Sequence, residues 1–429
     1  MTTAAALALL VLGRVISLNE ALQIAAEHQP QLRQAHANTE ASLARADEGK
    51  APLLPQLNGT GTYTRTTANY SARPGSVPTQ FSGAANSQPQ TFTTYNYYNF
   101  GLNATQLVYD FGQSHSRWQS LRATADAQRS TEHATTLQIL LNVRTNYFSA
   151  RANKAMISVA RDTLANQEKH LHQIEGFVTV GTRPEIDLAQ SKTDLANAKV
   201  QLINAENGYE TAKALLNQAI GVEQSTDYDI SDDTMAPIQG ENLSIEPLLD
   251  EALKARPEFN AVQGQLRAAE LTLTSFREAY LPSLGVFAGT TETGSQWNRL
   301  APNANAGVSL TWPIYQGNLT LSQEREASAN LDASKAQMDI LRLQVRVEVE
   351  QTRLAVRAAK EAQIAAEEAA ANAHVRLTLA EGRYTAGAGS VIELGDAQIA
   401  ATTAAAQRVQ ADYNLSSTRA QLFKALGRL

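Results

Sequence analysis

Two periods of apolar residues run through this chain. In ANAGVSLTWPIY (304–315), Ala306, Val308, Leu310 and Trp312 alternate with Gly307, Ser309 and Thr311. SLGVFAGTT (283–291) sets Leu284, Val286 and Ala288 against Ser283, Gly285 and Gly289, with Phe287 as an exception. NFGLNATQLV (99–108) sets Phe100, Leu102, Ala104 and Val108 against Asn103 and Thr105. Period two predicts strands with one weakly apolar face and one face of Gly, Ser, Thr and Asn. The predicted strands cover about 55–66, 96–109, 282–292 and 304–315. Elsewhere apolar residues recur every three or four, as at Leu137, Leu140, Leu141, Tyr147, Phe148 and Met156, and predict helices. Helices are expected over about 17–50, 113–180, 245–279 and 318–386, with return helices ending at Gly221 and Gly427. The prolines of APLLP (51–55) and YLP (280–282) end the first helix of each half, because proline lacks an amide donor and crowds the preceding turn.

The order of elements repeats. Pro30 and Pro257 differ in number by 227, and so do Pro55 and Pro282. Tyr109 in LVYDFG and Tyr315 in PIYQG differ by 206. The same 206 separates EGFVTVGTRPEIDL (175–188) from EGRYTAGAGSVIEL (381–394), and LLNQAIG (215–221) from QLFKALG (421–427). The chain is thus a duplication, with repeats at 17–221 and 245–429. The change of offset places an insertion in the first repeat, within 67–93, where Ser, Thr, Asn, Gly and Pro predict a long exposed loop. Residues 222–244 read as an acidic, turn-rich linker.

Magnitudes restrict the architecture. A helix of about 70 residues is about 100 Å long at 1.5 Å per residue. No globular core is that wide, so such helices pack side by side with their return partners, as coiled coils do. The strands have the length that crosses a membrane at a tilt. Four strands cannot close a membrane barrel, since about eight is the smallest number known. An open sheet edge is not tolerated in lipid, so several chains must contribute strands to one barrel. A trimer would supply twelve strands and twelve helical segments, with pseudo-sixfold symmetry from the duplication.

Composition excludes other classes. Charged residues make up 18% and the net charge is −6, which argues against nucleic acid as a partner. There is no cysteine, hence no disulfide, no thiolate metal site and no thiol for lipid attachment. AAALALLVLG (4–13) is too short to span a bilayer as a helix. Residues 1–16 read as the remnant of a secretory signal, with a short buried helix as the alternative. No stretch has about 18 consecutive apolar residues, but a membrane β-barrel would leave no such trace.

The paired motifs FVTVGTRPEIDLAQ (177–190) and YTAGAGSVIELGDAQ (384–398), with the strand exits LVYDFGQ and WPIYQGN, resemble those of the TolC-type outer-membrane efflux channels of Gram-negative bacteria. The resemblance covers about 17–427. It implies a homotrimer with a twelve-stranded β-barrel in outer-membrane lipid and a twelve-helix α-barrel through the periplasm. It further implies a periplasmic adaptor and an inner-membrane pump (of the RND, ABC or MFS class) as partners. The chain would be a passive exit duct for efflux or type I secretion, without cofactor or catalysis.

The same resemblance gives roles to residues near the glycine breaks. Gly181, Thr182, Gly387, Ala388, Gly389 and Ser390 fall in tips 181–184 and 387–390, which touch the adaptor in the family. On their own residues these glycines read as helix C-caps, where φ > 0 is needed. Glu393 and Asp396 fall where the family sets acidic rings facing the pore. Their spacing of three puts both on one helix face, and a trimer would bring six carboxylates near the axis. Acids in a first helical turn also answer the helix dipole, so ordinary helix-start acids are the competing reading. Tyr384 and Asp187 match family positions that bond between neighbouring helices to close the entrance. Where well-studied members have an arginine, this chain has Gly389, and Arg183 of the other hairpin is the candidate substitute.

Remaining features are weaker. Tyr95, Tyr97, Tyr98 and Phe100 suit an interfacial aromatic girdle, with strand packing as the rival. His170 and His172 do not share a helix face, which opposes a metal site. No phosphate-binding, zinc-protease or nucleophile-elbow motif occurs. A soluble periplasmic coiled-coil scaffold is the alternative function, and it requires the strand runs to be loops.

Overall fold

A computed structural model describes residues 14–67, 94–223 and 225–428. It divides into two compact units, one of residues 1–38, 129–261 and 338–429, the other of residues 39–128 and 262–337. The division falls within four helices, so each unit is built from segments of both halves of the chain.

The first unit is helical. Helix α1 (Leu18–His28) stops at Gln29, and α2 begins at Pro30 and runs to Lys50. Helix α5 (Ile245–Ala255) stops at Arg256, and α6 (Pro257–Glu278) follows. Each pair, expected as one continuous helix, is broken at the residue before its proline. Proline bars the residue before it from the α region, and Gln29 and Arg256 accordingly have ψ of 117° and 123°. The long helices α3 (Gln113–Thr179) and α7 (Leu319–Thr385) have 67 residues each, and they return as α4 (Glu185–Ile220) and α8 (Val391–Ala425). Helices α4 and α8 each end on a left-handed glycine, Gly221 at φ +78° and Gly427 at φ +73°. The backbone of Gln29 packs against Gly221, and that of Ala255 and Arg256 against Gly427. Glycine is required there twice over, for its dihedral and for the close approach.

Two expectations are corrected in this unit. Val15–Ile16 forms β1, parallel to β4 (Asp229–Ile230), so 1–16 is not wholly a signal remnant. Ile16 is buried and its carbonyl accepts a hydrogen bond from Tyr147. The rest of that stretch, 1–13, lies outside the described residues. Nor is 222–244 a plain linker. Tyr228, Ile230 and Ile238 are buried core residues, and Glu241 is a buried carboxylate held by Arg419 and Lys360. Acidic and turn-rich composition hid this, because the few apolar residues that dock are spaced without period.

The second unit holds one four-stranded antiparallel sheet, in the order β2 (Gln56–Thr67), β3 (Thr94–Tyr109), β5 (Ser283–Gln296), β6 (Arg299–Thr311). The pairing of β3 with β5 joins the two halves of the chain. Strand β6 starts at Arg299 instead of 304, and β5 extends to Gln296, so only Trp297 and Asn298 connect them. The strand also stops before Trp312 rather than at 315, since Pro313 has no amide to donate. The predicted insertion lies outside the described residues from 68 to 93. Beside the sheet, Ser120 donates to the carbonyl of Ala268 at 2.8 Å, and Ala127 packs against Gly264, clamping α3 to α6.

Candidate functional site

The sheet has two chemically distinct faces. Register puts Leu57, Ala104, Ala288 and Ala306 side by side. Side chains alternate along a strand, so the rows two residues away join the same face. Those rows are Gln106, Val286 and Val308, and Gly59, Leu102, Thr290 and Ala304. The opposite face carries Asn58, Asn103, Gly289 and Asn305 in one row and Thr60, Gly101, Thr291 and Asn303 in another. Phe287, the exception to the alternation, belongs to this polar face, where its ring fills the space beside Gly307. Leu57, Leu102, Val308 and Leu310 stay exposed. At the end of that face Gln106 donates to the carbonyl of Leu53 at 3.0 Å, and among the described residues no strand pairs with the outer edges of β2 and β6.

Aromatic rings gather at both ends of the apolar face. Tyr98 and Phe100 meet Trp297, at centroid separations of 6.0 Å and 5.2 Å, and Tyr63 meets Tyr98 at 5.1 Å. At the far end, Tyr109 lies 4.9 Å from Phe111, and the Trp312 indole donates to the carbonyl of Tyr280 at 3.1 Å. A register shift between Leu107 and Tyr109 turns Tyr109 onto the apolar side opposite Leu284. The girdle expectation is corrected in membership: Tyr95 and Tyr97 pair with Thr66 and Thr64 and share the polar face. Tyr63 and Trp297 group with Tyr98 and Phe100 instead, a grouping readable only once the register is known. Eleven residues separate Tyr98 from Tyr109 in number. That is about 36 Å along a strand, or about 28 Å at a tilt of about 40°, close to the thickness of a bilayer's hydrocarbon core.

The second candidate site lies wholly within the helical unit, at the two hairpin turns. Gly181 and Gly387 both have φ +75°. At the first turn Gly181 donates to the carbonyl of Val178, and Thr182 to that of Phe177. At the second, Gly387 donates to Tyr384 and Ala388 to Arg383. These are paired Schellman caps, which close a helix C-terminus around one left-handed residue. The Thr182 hydroxyl also donates to the Phe177 carbonyl, at 2.8 Å. Ser390 caps α8, accepting from the Glu393 amide at 3.1 Å. Ala388 is exposed.

The two hairpins of one chain are bound to each other. Ile174 and Phe177 of the first pack with Leu377, Ala380, Tyr384, Leu394 and Ala397 of the second. Tyr384 is 1% exposed. His170 meets its ring edge-on at 5.3 Å, and the Arg183 guanidinium stands 4.9 Å from the ring centroid. Arg183 also donates to the carbonyl of Gly389 at 3.3 Å. A side chain at 389 would start 2.9 Å from the Tyr384 amide nitrogen, and the guanidinium over this ring comes from the other hairpin. The Tyr384 hydroxyl is buried without a hydrogen-bond partner, so no bond to Asp187 forms within the protomer. Burial pushes that hydroxyl's pKa up and outweighs Arg183, which lowers it; Asp187 adds a smaller upward push.

Glu393 pairs with Arg383 at 3.4 Å across the second turn. Asp396 is exposed, on the flank of α8 away from the buried Leu394 and Ala397. His170 and Arg383 are the tip residues that sequence reasoning passed over. The spacing of His170 from His172 argued only about metals, and nothing local marks a histidine whose neighbour is a tyrosine 214 positions later.

The family model described as outer membrane efflux protein matches residues 21–222 and 248–428, one stretch in each repeat. The toluene efflux pump outer membrane protein TtgF of Pseudomonas putida is 27% identical over 329 residues, 75% of this chain; the chain spans only 63% of that relative's length. Outer membrane protein TolC of Escherichia coli is 24% identical over 449 residues, covering 97% of this chain and 83% of TolC. The solved structure of the outer membrane protein VceC of Vibrio cholerae shares the fold at a TM-score of 0.80 and 18% identity, over 96% of each chain. The chain belongs to the outer membrane efflux protein family and is at home in the outer membrane of a Gram-negative cell.

Proposed function

We propose that this chain is one third of a passive exit duct of an efflux pump, in which three copies close a twelve-stranded barrel and an α-helical conduit. The observation that carries the reading is the sheet with one apolar face, one polar face and two open edges. Water opposes the first, hydrocarbon opposes the second, and lipid does not tolerate the third. Closure with strands of other copies satisfies all three, with the Gly/Asn/Thr face lining a wet lumen. Helix α7 supports association on its own: Ile340, Val347 and Leu354 are exposed at intervals of seven, with Leu343 between, a seam that fits a neighbouring helix. The repeats 17–221 and 245–429, joined by 222–244, then supply alternate positions around the axis. In this reading the turns 181–184 and 387–390 receive a periplasmic adaptor that links the duct to an inner-membrane pump. Arg183, Tyr384 and Asp187 hold the entrance shut, and Glu393 and Asp396 set its charge. The relative named as a toluene efflux component supports efflux as the process, and the pump selects the cargo.

The soluble-scaffold alternative requires loops where the sheet stands. Native mass spectrometry of detergent-solubilised protein tests the proposal. A trimer with unit conductance in planar bilayers is expected. A stable, fully β-structured monomer in detergent overturns it.

A further inference from the structure

Tyr384 is contacted by two groups that answer acid differently. Arg183 is a permanent cation. His170 is 7% exposed, and its Nδ1 has no hydrogen-bond partner. Other buried atoms in this part of the molecule are also unpaired, among them the Tyr384 hydroxyl, the Ser191 hydroxyl and Gln167 Oε1. Ser191 lies on α4 between Asp187 and Asp194, at spacings of four and three that place all three on one face. The helices α3, α4 and α7 thus bring a buried imidazole, two carboxylates and a tyrosine together; Asp194 accepts from Gln190 at 3.0 Å, and no hydrogen bond reaches the imidazole Nδ1 or the tyrosine hydroxyl.

We propose that His170 is an acid-sensitive latch: neutral, it packs on Tyr384 and keeps the two hairpins of one chain together; protonated, it releases them. The contact is made of an uncharged ring edge against an aromatic ring, beside an apolar cluster of Ile174, Phe177, Leu377 and Leu394. An imidazolium there gains no hydrogen-bonding partner for Nδ1 and stands near the ring already occupied by a guanidinium.

Groups on every neighbouring element bear on the outcome. From α4, Asp187 and Asp194 favour the proton. From the first turn, the Arg183 guanidinium stands over the Tyr384 ring. From α7, Tyr384 is neutral. From α8, Gln398, bonded to Gln167 at 3.1 Å, carries no charge, and Glu393 is engaged with Arg383. Burial outweighs the two acids and holds the His170 pKa below the ordinary histidine value. The packed state therefore binds fewer protons than the separated one. Its stability is fully present above about pH 6.5 and is lost as the pH falls from there towards the lowered value, by up to about tenfold per pH unit per histidine. The inference rests on the reading of the tips as a gate only for its effect on flow.

The absence of native cysteine makes the test direct. Val180→Cys and Ala388→Cys, both exposed positions on opposite hairpins, carry nitroxide labels in full-length assemblies, with labelled protomers diluted among unlabelled ones. Pulsed EPR then reads their separation from about pH 7.5 to about pH 5, the range in which histidine titrates. The distance should lengthen and broaden on acidification. In His170→Phe, which keeps a ring and takes no proton, it should stay at its neutral-pH value; His170→Gln provides the same test if the phenylalanine variant does not assemble. An unresponsive parent, or a variant that responds like the parent, overturns the latch. Conductance measured in parallel judges the gate separately: a distance that follows pH while conductance does not keeps the latch and refutes the gate.

Discussion

Arg183 and Tyr384, 201 positions apart in number, meet guanidinium to ring at 4.9 Å and so fasten the turn of one hairpin to the end of the other. Replacing Arg183 with Ala removes the stacking and the hydrogen bond to Gly389, about 1–2 kcal/mol together. Lysine keeps the charge but not the planar fork, so Arg183→Lys should recover less than half of that. The expected result is a larger mean conductance at neutral pH in the order Ala, Lys, wild type. Single-channel recording in planar bilayers checks it.

The glycines at the turns and at the return-helix ends should differ in cost. Space is open around Gly181 and Gly387, so a side chain there meets only the penalty of a positive φ, about 1–2 kcal/mol. At Gly221 an added Cβ would stand 2.6 Å from the Gln29 Cα, so the same alanine adds a backbone clash. Thermal unfolding in detergent should rank Gly221→Ala well below Gly181→Ala and Gly387→Ala. In β-branched variants of the tip glycines, adaptor crosslinking should fall while barrel insertion persists.

Glu393 and Asp396 are separated by their surroundings although they share a flank. Glu393 is occupied by Arg383 and by its place in the first turn of α8, whereas Asp396 is exposed. If both line the entrance of a trimer, Asp396→Asn should remove more cation preference than Glu393→Gln, and the double variant should resist block by a trivalent cation. Reversal potentials in asymmetric salt read the preference. Equal selectivity in all variants would mark the two as helix-start acids facing away from the pore.

Glu348 predicts a pH dependence of stability. Burial raises its pKa, but hydrogen bonds from Arg256 at 2.5 Å and Lys424 at 3.1 Å prevail and hold the carboxyl below its ordinary value. Its contribution is therefore complete above about pH 4.5 and is lost as the pH falls towards the lowered value. Arg256→Met should cost about 2 kcal/mol at neutral pH, less than for a fully buried pair because Glu348 retains contact with water. The gap between variant and wild type should narrow below about pH 4 in thermal melts.

Much of this was legible in residue order. Strand alternation announced the two-faced sheet, and Gly181 and Gly387 announced their caps; Gly389, expected as a third, has no positive φ, because the cap closes on Gly387 and Ala388 before it. Other parts were not. Val15 and Ile16 look like the tail of an apolar leader until Asp229 and Ile230 are known to lie beside them. Tyr97 and Tyr98 are adjacent in sequence yet stand on opposite faces of the sheet.

Local rules account for what the sequence by itself determined: the duplication, the element types, the prolines that break helices and the glycines that reverse them. Each depends on the sterics of one residue or on a repeat within a few turns. Only the tertiary structure decided that Arg183 reaches Tyr384, that His170 shares the same ring, and that Trp297 meets Tyr98 and Phe100. Those contacts join residues about 200 positions apart, and such partners are set by the register of paired strands and the packing of long helices. A shift of one residue in a strand would turn every side chain to the other face, and no local period records which shift is adopted.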